Sequence, residues 1–431
     1  SDWLHLPSSF SPPLAAGFKI RTFQGQGEDQ ELYFLLLDAT GQGYDTVWVC
    51  ARPDGESRLA QATTGTWTDW IFHPFVFRNR CQTGTFRFKV LDLSPDGQRL
   101  KVYRSQIMAT TGFTEPEELA QELIERFGPY QEHTSHHTYT DSLADFDTAL
   151  EEAEYQGQWI AKAGAYLMKE KGGGLFYWHW HWLDHISHIH LSGIDPVSPL
   201  FREEEYEMHL DHVRRSYRLA DRLIGMILAE AGDDSYVLVV SDHGNAPDVR
   251  VVDIQRFLHE RGFLFAKEDS IVVNRRIRAD QIDWERTTAY QKPGMPGLEL
   301  FVNAAPGTER YREIQENLIR ELRTWVDPVT NRCPVAIALK KQDAAILGFW
   351  GEGIGDVILV FESGYAWGFT TGGGVLGDPV DTIGLENTSA FGADRAPTTG
   401  PSCPPPVLRS VPIWPFFSSR VLESRRVTSV R

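Results

Sequence analysis

The chain has 431 residues, with 59 acidic against 42 basic side chains and a formal net charge of -17. That balance argues against a protein that grips a nucleic-acid duplex through its phosphates, and it weakens attraction to anionic membranes. Hydrophobic residues make up 42% of the chain, ample for burial, and the length favours one large domain with an insertion or two to three domains.

The four cysteines, Cys50, Cys81, Cys333 and Cys403, are too scattered for a zinc finger and decide nothing about compartment. No run approaches the roughly 18 apolar residues of a membrane span, so no transmembrane segment is expected. The opening Ser1-Asp2-Trp3-Leu4 has neither an initiator Met nor a signal-peptide pattern, and reads as a processed chain or a fragment.

From about Phe18 to Ala109 short apolar or alternating segments are broken by Gly, Asp and Pro: Glu31 to Asp38, Asp45 to Cys50, Trp67 to Phe77, Thr85 to Leu91 and Leu100 to Ile107. Such segments read as strands, and no long helical pattern interrupts them. Residues 1–113 are therefore expected to form a β-rich insertion or cap. At Thr114-Glu115-Pro116-Glu117 a capping threonine and an early proline predict a helix running to about Phe127. Ala144 to Lys169 has helical spacing, and Gly172-Gly173-Gly174 releases the chain into an expected strand, Leu175 to Trp182.

A helix from about Glu203 to Ala231 follows, its acidic start Glu203-Glu204-Glu205 reading as solvated. Then come a β-branched strand, Tyr236 to Val240, and a helix near Val252 to Arg261. Leu298 to Asn303, Tyr311 to Val326 and Val357 to Phe361 continue as strand, helix and strand. This alternation predicts an α/β core over residues 114–399: a mostly parallel sheet with helices on both faces. Residues 400–431 are rich in Pro, Ser and Arg and read as a disordered basic tail.

Two segments carry chemistry. Tyr236 to Val240 runs into Ser241-Asp242-His243-Gly244-Asn245, an expected strand ending on a carboxylate and an imidazole. Ligands of open α/β sheets bind at such strand ends, and Asp and neutral His are ordinary ligands of zinc-like ions. Taken alone, the segment reads equally well as a turn with a surface histidine. The second, Phe176 to His188, again runs an expected strand into a carboxylate, Asp184, with His188 four residues on; both can bind one ion from a strand-end loop. One αβ unit separates the segments, the connection that brings two strand ends together in a parallel sheet. Two ions about 4 Å apart clamp a phosphoryl group. His179 and His181 alternate with Trp178, Trp180 and Trp182 and read as core or cleft-wall residues. His185 and His190 flank the ligands and are candidates for hydrogen bonds to substrate, against a structural role for each. His209 and His212 fall within a predicted helix.

The ordered set of Asp184 and His188, Asp195-Pro196, Tyr217 to Gly225 and Ser241-Asp242-His243-Gly244 resembles the type I phosphodiesterase and nucleotide pyrophosphatase branch of the alkaline phosphatase superfamily. The resemblance covers about Tyr155 to Gly368. It implies an alkaline-phosphatase-like core and two divalent metal ions, usually zinc, with Asp184 and His188 on one and Asp242 and His243 on the other. It also implies a small-molecule phosphate ester or nucleotide as substrate. The family further needs an Asp ligand and a Thr or Ser nucleophile, both expected upstream of Ser1, and a downstream histidine. His259 is the last histidine of the chain, and in Gly392 to Pro397 Arg395 stands where a histidine is expected; a guanidinium cannot replace it. Other hydrolases of the superfamily (phosphomonoesterases, phosphonate hydrolases, sulfatases) and a non-catalytic metal- or ligand-binding relative are the alternatives. Cys403 with Pro405 leads to Val407 rather than the Arg of a sulfatase segment.

Overall fold

The computed structural model describes residues 3–20, 27–77, 80–132, 139, 144–232, 234–268, 277–292, 299–368, 376–377, 420–423 and 428–429. The chain divides into two compact units: Ser1–Trp182 with Ser216–Leu238 and Cys403–Arg431, and Leu183–Arg215 with Val239–Ser402. Among the described residues no helix is long and apolar enough to cross a membrane.

The first unit is built on antiparallel sheets. Strands β1 (Leu14–Ile20), β2 (Gln30–Leu37), β3 (Thr46–Cys50) and β4 (Arg58–Thr63) pair in sequence order, as hairpin-connected strands do. Alternate side chains of β2 serve opposite faces. Leu32, Phe34 and Leu36 enter a core with Val47, Val49, Phe86, Phe88 and Val102, whereas Leu35 and Leu37 are covered by Trp3 and Leu6 of the segment before β1. Phe18 stacks on Phe34 at 4.3 Å between ring centroids, and Phe88 meets Phe34 edge-on at 5.3 Å. Two further pairings, β5 (Ile71–Phe77) with β6 (Arg80–Phe86) and β7 (Phe88–Leu93) with β8 (Leu100–Arg104), complete the walls. The expected strand Thr85 to Leu91 is thus two strands, broken at Arg87. β1 and β4 have no counterpart among the predicted segments.

Arg87 leaves the sheet to lie over Trp67, Trp70 and Tyr155 at 4.1, 4.8 and 4.7 Å from their centroids. Tyr155 belongs to helix α2 (Phe146–Glu170), which follows α1 (Leu119–Phe127). Two more bonds tie α2 to the strands: Lys89 Nζ to Glu151 Oε2 at 2.6 Å and Tyr103 Oη to Glu152 Oε2 at 2.9 Å. Asp145 caps α2 by accepting from Thr148 N at 2.7 Å. At α1 the expected cap fails. Thr114 Oγ1 donates to the carbonyls of Pro116 and Glu117 instead of accepting an amide, and the helix begins only at Leu119.

The tail expected to be disordered contributes two strands: Arg420–Glu423 pairs with β8 and Thr428–Ser429 with β1. Exposed sheet edges accept any extended segment with free backbone groups, whatever its composition. The remainder of residues 400–431 and the Gly392 to Pro397 segment lie outside the described residues.

In the second unit, strands Ala289–Gln291, Glu299–Val302, Val357–Phe361 and Val335–Lys340 form an antiparallel sheet. It packs with helices Ile254–Glu260 and Glu309–Arg323 through Phe257, Leu318, Leu322, Leu300 and Leu359. Arg250–Val252 pairs in parallel with Tyr365–Trp367, the one parallel strand pair among the described residues. The fold is therefore mixed α/β, but the mostly parallel sheet expected from the sequence is not what these strands form. The two segments read as strands leading into the metal ligands are irregular: among the described residues neither Leu175–His181 nor Tyr236–Val240 joins a ladder, and Tyr236 is 97% and Val240 79% exposed. An apolar run reports that a strand is suited to burial on both faces; it does not supply neighbours for its edges.

Candidate functional site

The expected metal ligands all fall in the second unit. Asp184 and His188 do not sit on a strand-end loop. They lie one turn apart on helix α3 (Trp182–Ile194), where a spacing of four puts both on one face, and His188 Nε2 is 3.2 Å from Asp184 Oδ1. Trp182 and Ile186, both buried, fix the opposite side of the turn. Asp242 and His243 lie on the irregular segment after Val240, with His243 Nε2 3.5 Å from Asp242 Oδ2.

The segment that carries the second pair reaches the first through Asn245, two residues after His243; the Asn245 Nδ2 donates to Asp184 Oδ1 at 3.4 Å. Burial raises the proton affinity of Asp184. The hydrogen bond and charge of His188, the Asn245 amide and the His243 charge together outweigh it, so the carboxyl is held below its ordinary range. Asn245 was legible only as the end of the Ser-Asp-His-Gly-Asn run, with no role attached.

The donor separation within each pair matches the edge of a tetrahedral zinc site. Two donor atoms about 2.0–2.2 Å from a tetrahedral zinc lie about 3.3 Å apart, and the observed separations are 3.2 and 3.5 Å. Among the described residues the four side chains do not bring three donor atoms within 4.8 Å of one another, so the arrangement is two pairs and not one closed cage.

The remaining histidines separate cleanly. His179 and His181 are on the exposed side of the extended segment, their rings 4.1 Å apart, not in a core; Phe176, Trp178 and Trp180 take the more covered side. His185 is partly exposed on α3. His190 is 1% exposed, and its Nδ1 is 2.7 Å from Nδ1 of His209. Burial, then the charges of His212 and His209, push it down to about 3, so it stays neutral at any working pH. Gly193 permits this meeting, because a Cβ there would lie 2.2 Å from His209 Cδ2. In this packing His190 holds α3 to the helix Tyr206–Glu230 rather than facing solvent.

The family model for type I phosphodiesterase / nucleotide pyrophosphatase matches residues 92–383, more than half of the chain. The chain belongs to this family. Membership places it, at the coarse level, among phosphodiesterase-type hydrolases of phosphoric esters. No curated protein and no solved structure matches the chain. For a type I phosphodiesterase relative, the matched span contains both Asp-His pairs and Asn245 and extends into β7 and β8 of the first unit.

Proposed function

We propose that the chain is a metal-dependent hydrolase of phosphodiester or phosphoanhydride bonds in small-molecule phosphate esters or nucleotides. Asp184 with His188, and Asp242 with His243, each take one divalent ion, zinc by the character of the donors. The observation that carries this reading is the Asn245 to Asp184 hydrogen bond, which draws two sequence-distant Asp-His pairs into one neighbourhood.

When bound, two such ions neutralise charge on the non-bridging oxygens and stabilise the leaving oxygen. Asp184 and Asp242 supply the anionic oxygens, and His188 and His243 supply imidazole nitrogens. Asn245 orients the Asp184 carboxylate, the outer-shell task that usually tunes ligand strength.

The assay is hydrolysis of a chromogenic phosphodiester by zinc-loaded protein, run beside the matching phosphomonoester and sulfate ester. Turnover greatest on the diester supports the proposal; turnover confined to the monoester or sulfate assigns another superfamily chemistry. A second reading, a binding relative without turnover, draws on the open character of the two pairs, which among the described residues do not gather three donor atoms within 4.8 Å. Zinc binding with no hydrolysis of any of the three esters favours it.

A further inference from the structure

Outside the matched family span, His5, Asp54 and Glu56 place one donor atom each within 4.8 Å of the other two. His5 Nδ1 is 3.0 Å from Asp54 Oδ1 and 3.9 Å from Glu56 Oε2. These separations bracket the roughly 3.3 Å edge expected for nitrogen and oxygen donors around a tetrahedral zinc-like ion. Among the described residues this is the only group of three such donors.

The donors come from two segments that the backbone stitches together. Leu4 N donates to Pro53 O at 3.2 Å, and Gly55 N donates to Leu4 O at 2.9 Å. Gly55 is required for that approach, since a Cβ there would lie 2.1 Å from the His5 carbonyl oxygen. Ser57 Oγ bonds Arg52 O at 2.9 Å and Asp54 O at 2.7 Å, and Asp54 Oδ1 accepts from Glu56 N at 3.0 Å, which fixes the carboxylate's direction. Next to His5, Trp3 is buried against β2, so the first segment has little freedom to carry its imidazole away.

We propose that His5, Asp54 and Glu56 form a second, separate divalent-metal site for a zinc-like ion, one that clips the segment before β1 to the turn between β3 and β4. One imidazole and two carboxylates suit a borderline or harder late first-row ion, and three protein donors leave a coordination position for water. The site is independent of the phosphodiesterase reading.

The test is equilibrium dialysis of the full chain against zinc, with bound metal counted by plasma mass spectrometry. It is run on the parent, on His5→Ala, on Glu56→Gln and on the Asp242→Ala/His243→Ala double variant. The expected result is about one ion fewer per chain, or at least tenfold weaker binding of that ion, in each of the first two variants, with the double variant keeping the His5-dependent ion. Zinc is also expected to raise the thermal midpoint of the parent more than that of Glu56→Gln. Equal metal content and equal zinc response in parent, His5→Ala and Glu56→Gln would overturn the proposal and leave an exposed ion pair. Should His5→Ala misfold, Glu56→Gln alone decides, because that side chain is 74% exposed.

Discussion

Asp184 and Asp248 are carboxylates of the same unit whose surroundings push them in opposite directions. Asp184 is surrounded by His188, Asn245 and His243 and is held ionised. Asp248 is 1% exposed, neither of its oxygens finds a hydrogen-bond partner among the described residues, and burial raises it from 3.8 to about 7. Its sign in stability follows from proton counting. Between about pH 4 and pH 7 the unfolded chain releases this proton while the folded chain keeps it, so stability falls as pH rises through that window and levels off above it. Asp248→Asn removes the slope. Denaturant unfolding should show little difference from the parent near pH 4 and a gain approaching, at most, about 4 kcal/mol near pH 8; an equal difference at both pH values would contradict this. The Asp184 and His188 pair was legible as neighbouring donors on an expected strand-end loop, whereas it is the four-residue spacing on a helix that brings them together. Asp248 was not, because the polar-looking run Asn245 to Asp248 gives no hint of burial. Nor was the His5, Asp54 and Glu56 group, whose donors are joined by backbone bonds between distant segments.

Helices whose cap residues accept an amide formed close to where their sequences placed them, unlike the one expected to open at Thr114. Helix Glu309–Arg323 starts at Thr308, whose Oγ1 accepts from Tyr311 N at 3.2 Å, and helix Ile254–Glu260 at Asp253, which accepts from Arg256 N at 2.9 Å. Strand Val357–Phe361 matches its expected bounds. Elements that depend on a partner did not all form, as Tyr236–Val240 shows, because pairing is decided outside the segment. Strand Arg250–Val252 depends on such a partner. Arg250 Nε meets Asp327 Oδ2 at 3.1 Å, and the same oxygen accepts from Tyr365 Oη at 2.9 Å on the parallel neighbour. Asp327 is fully buried; burial raises its proton affinity, but Val329 N–H, Tyr365 and Arg250 together hold it below the ordinary range. Asp327→Ala removes one anionic partner of Arg250 and the acceptor of Tyr365 Oη, and a loss of about 1–3 kcal/mol is expected in denaturant unfolding. A loss below about 1 kcal/mol would show that the guanidinium re-partners or reaches water.

At the scale of the whole molecule, the antiparallel β architecture of the first unit was legible from short alternating segments, and the family from an ordered set of motifs. The described strands are mostly antiparallel where a parallel sheet was expected, yet Asn245 ties the segment of the second Asp-His pair to the first without the strand ladder that the sequence reading relied on. The pairs stand as ion sites or they do not, and metal content decides. Protein purified without chelator and its Asp242→Ala/His243→Ala variant should be compared by plasma mass spectrometry, with folding of both checked by circular dichroism. The variant is expected to lose about one zinc-like ion per chain relative to the parent. Identical metal content in two folded proteins would contradict the assignment of Asp242 and His243 as metal ligands.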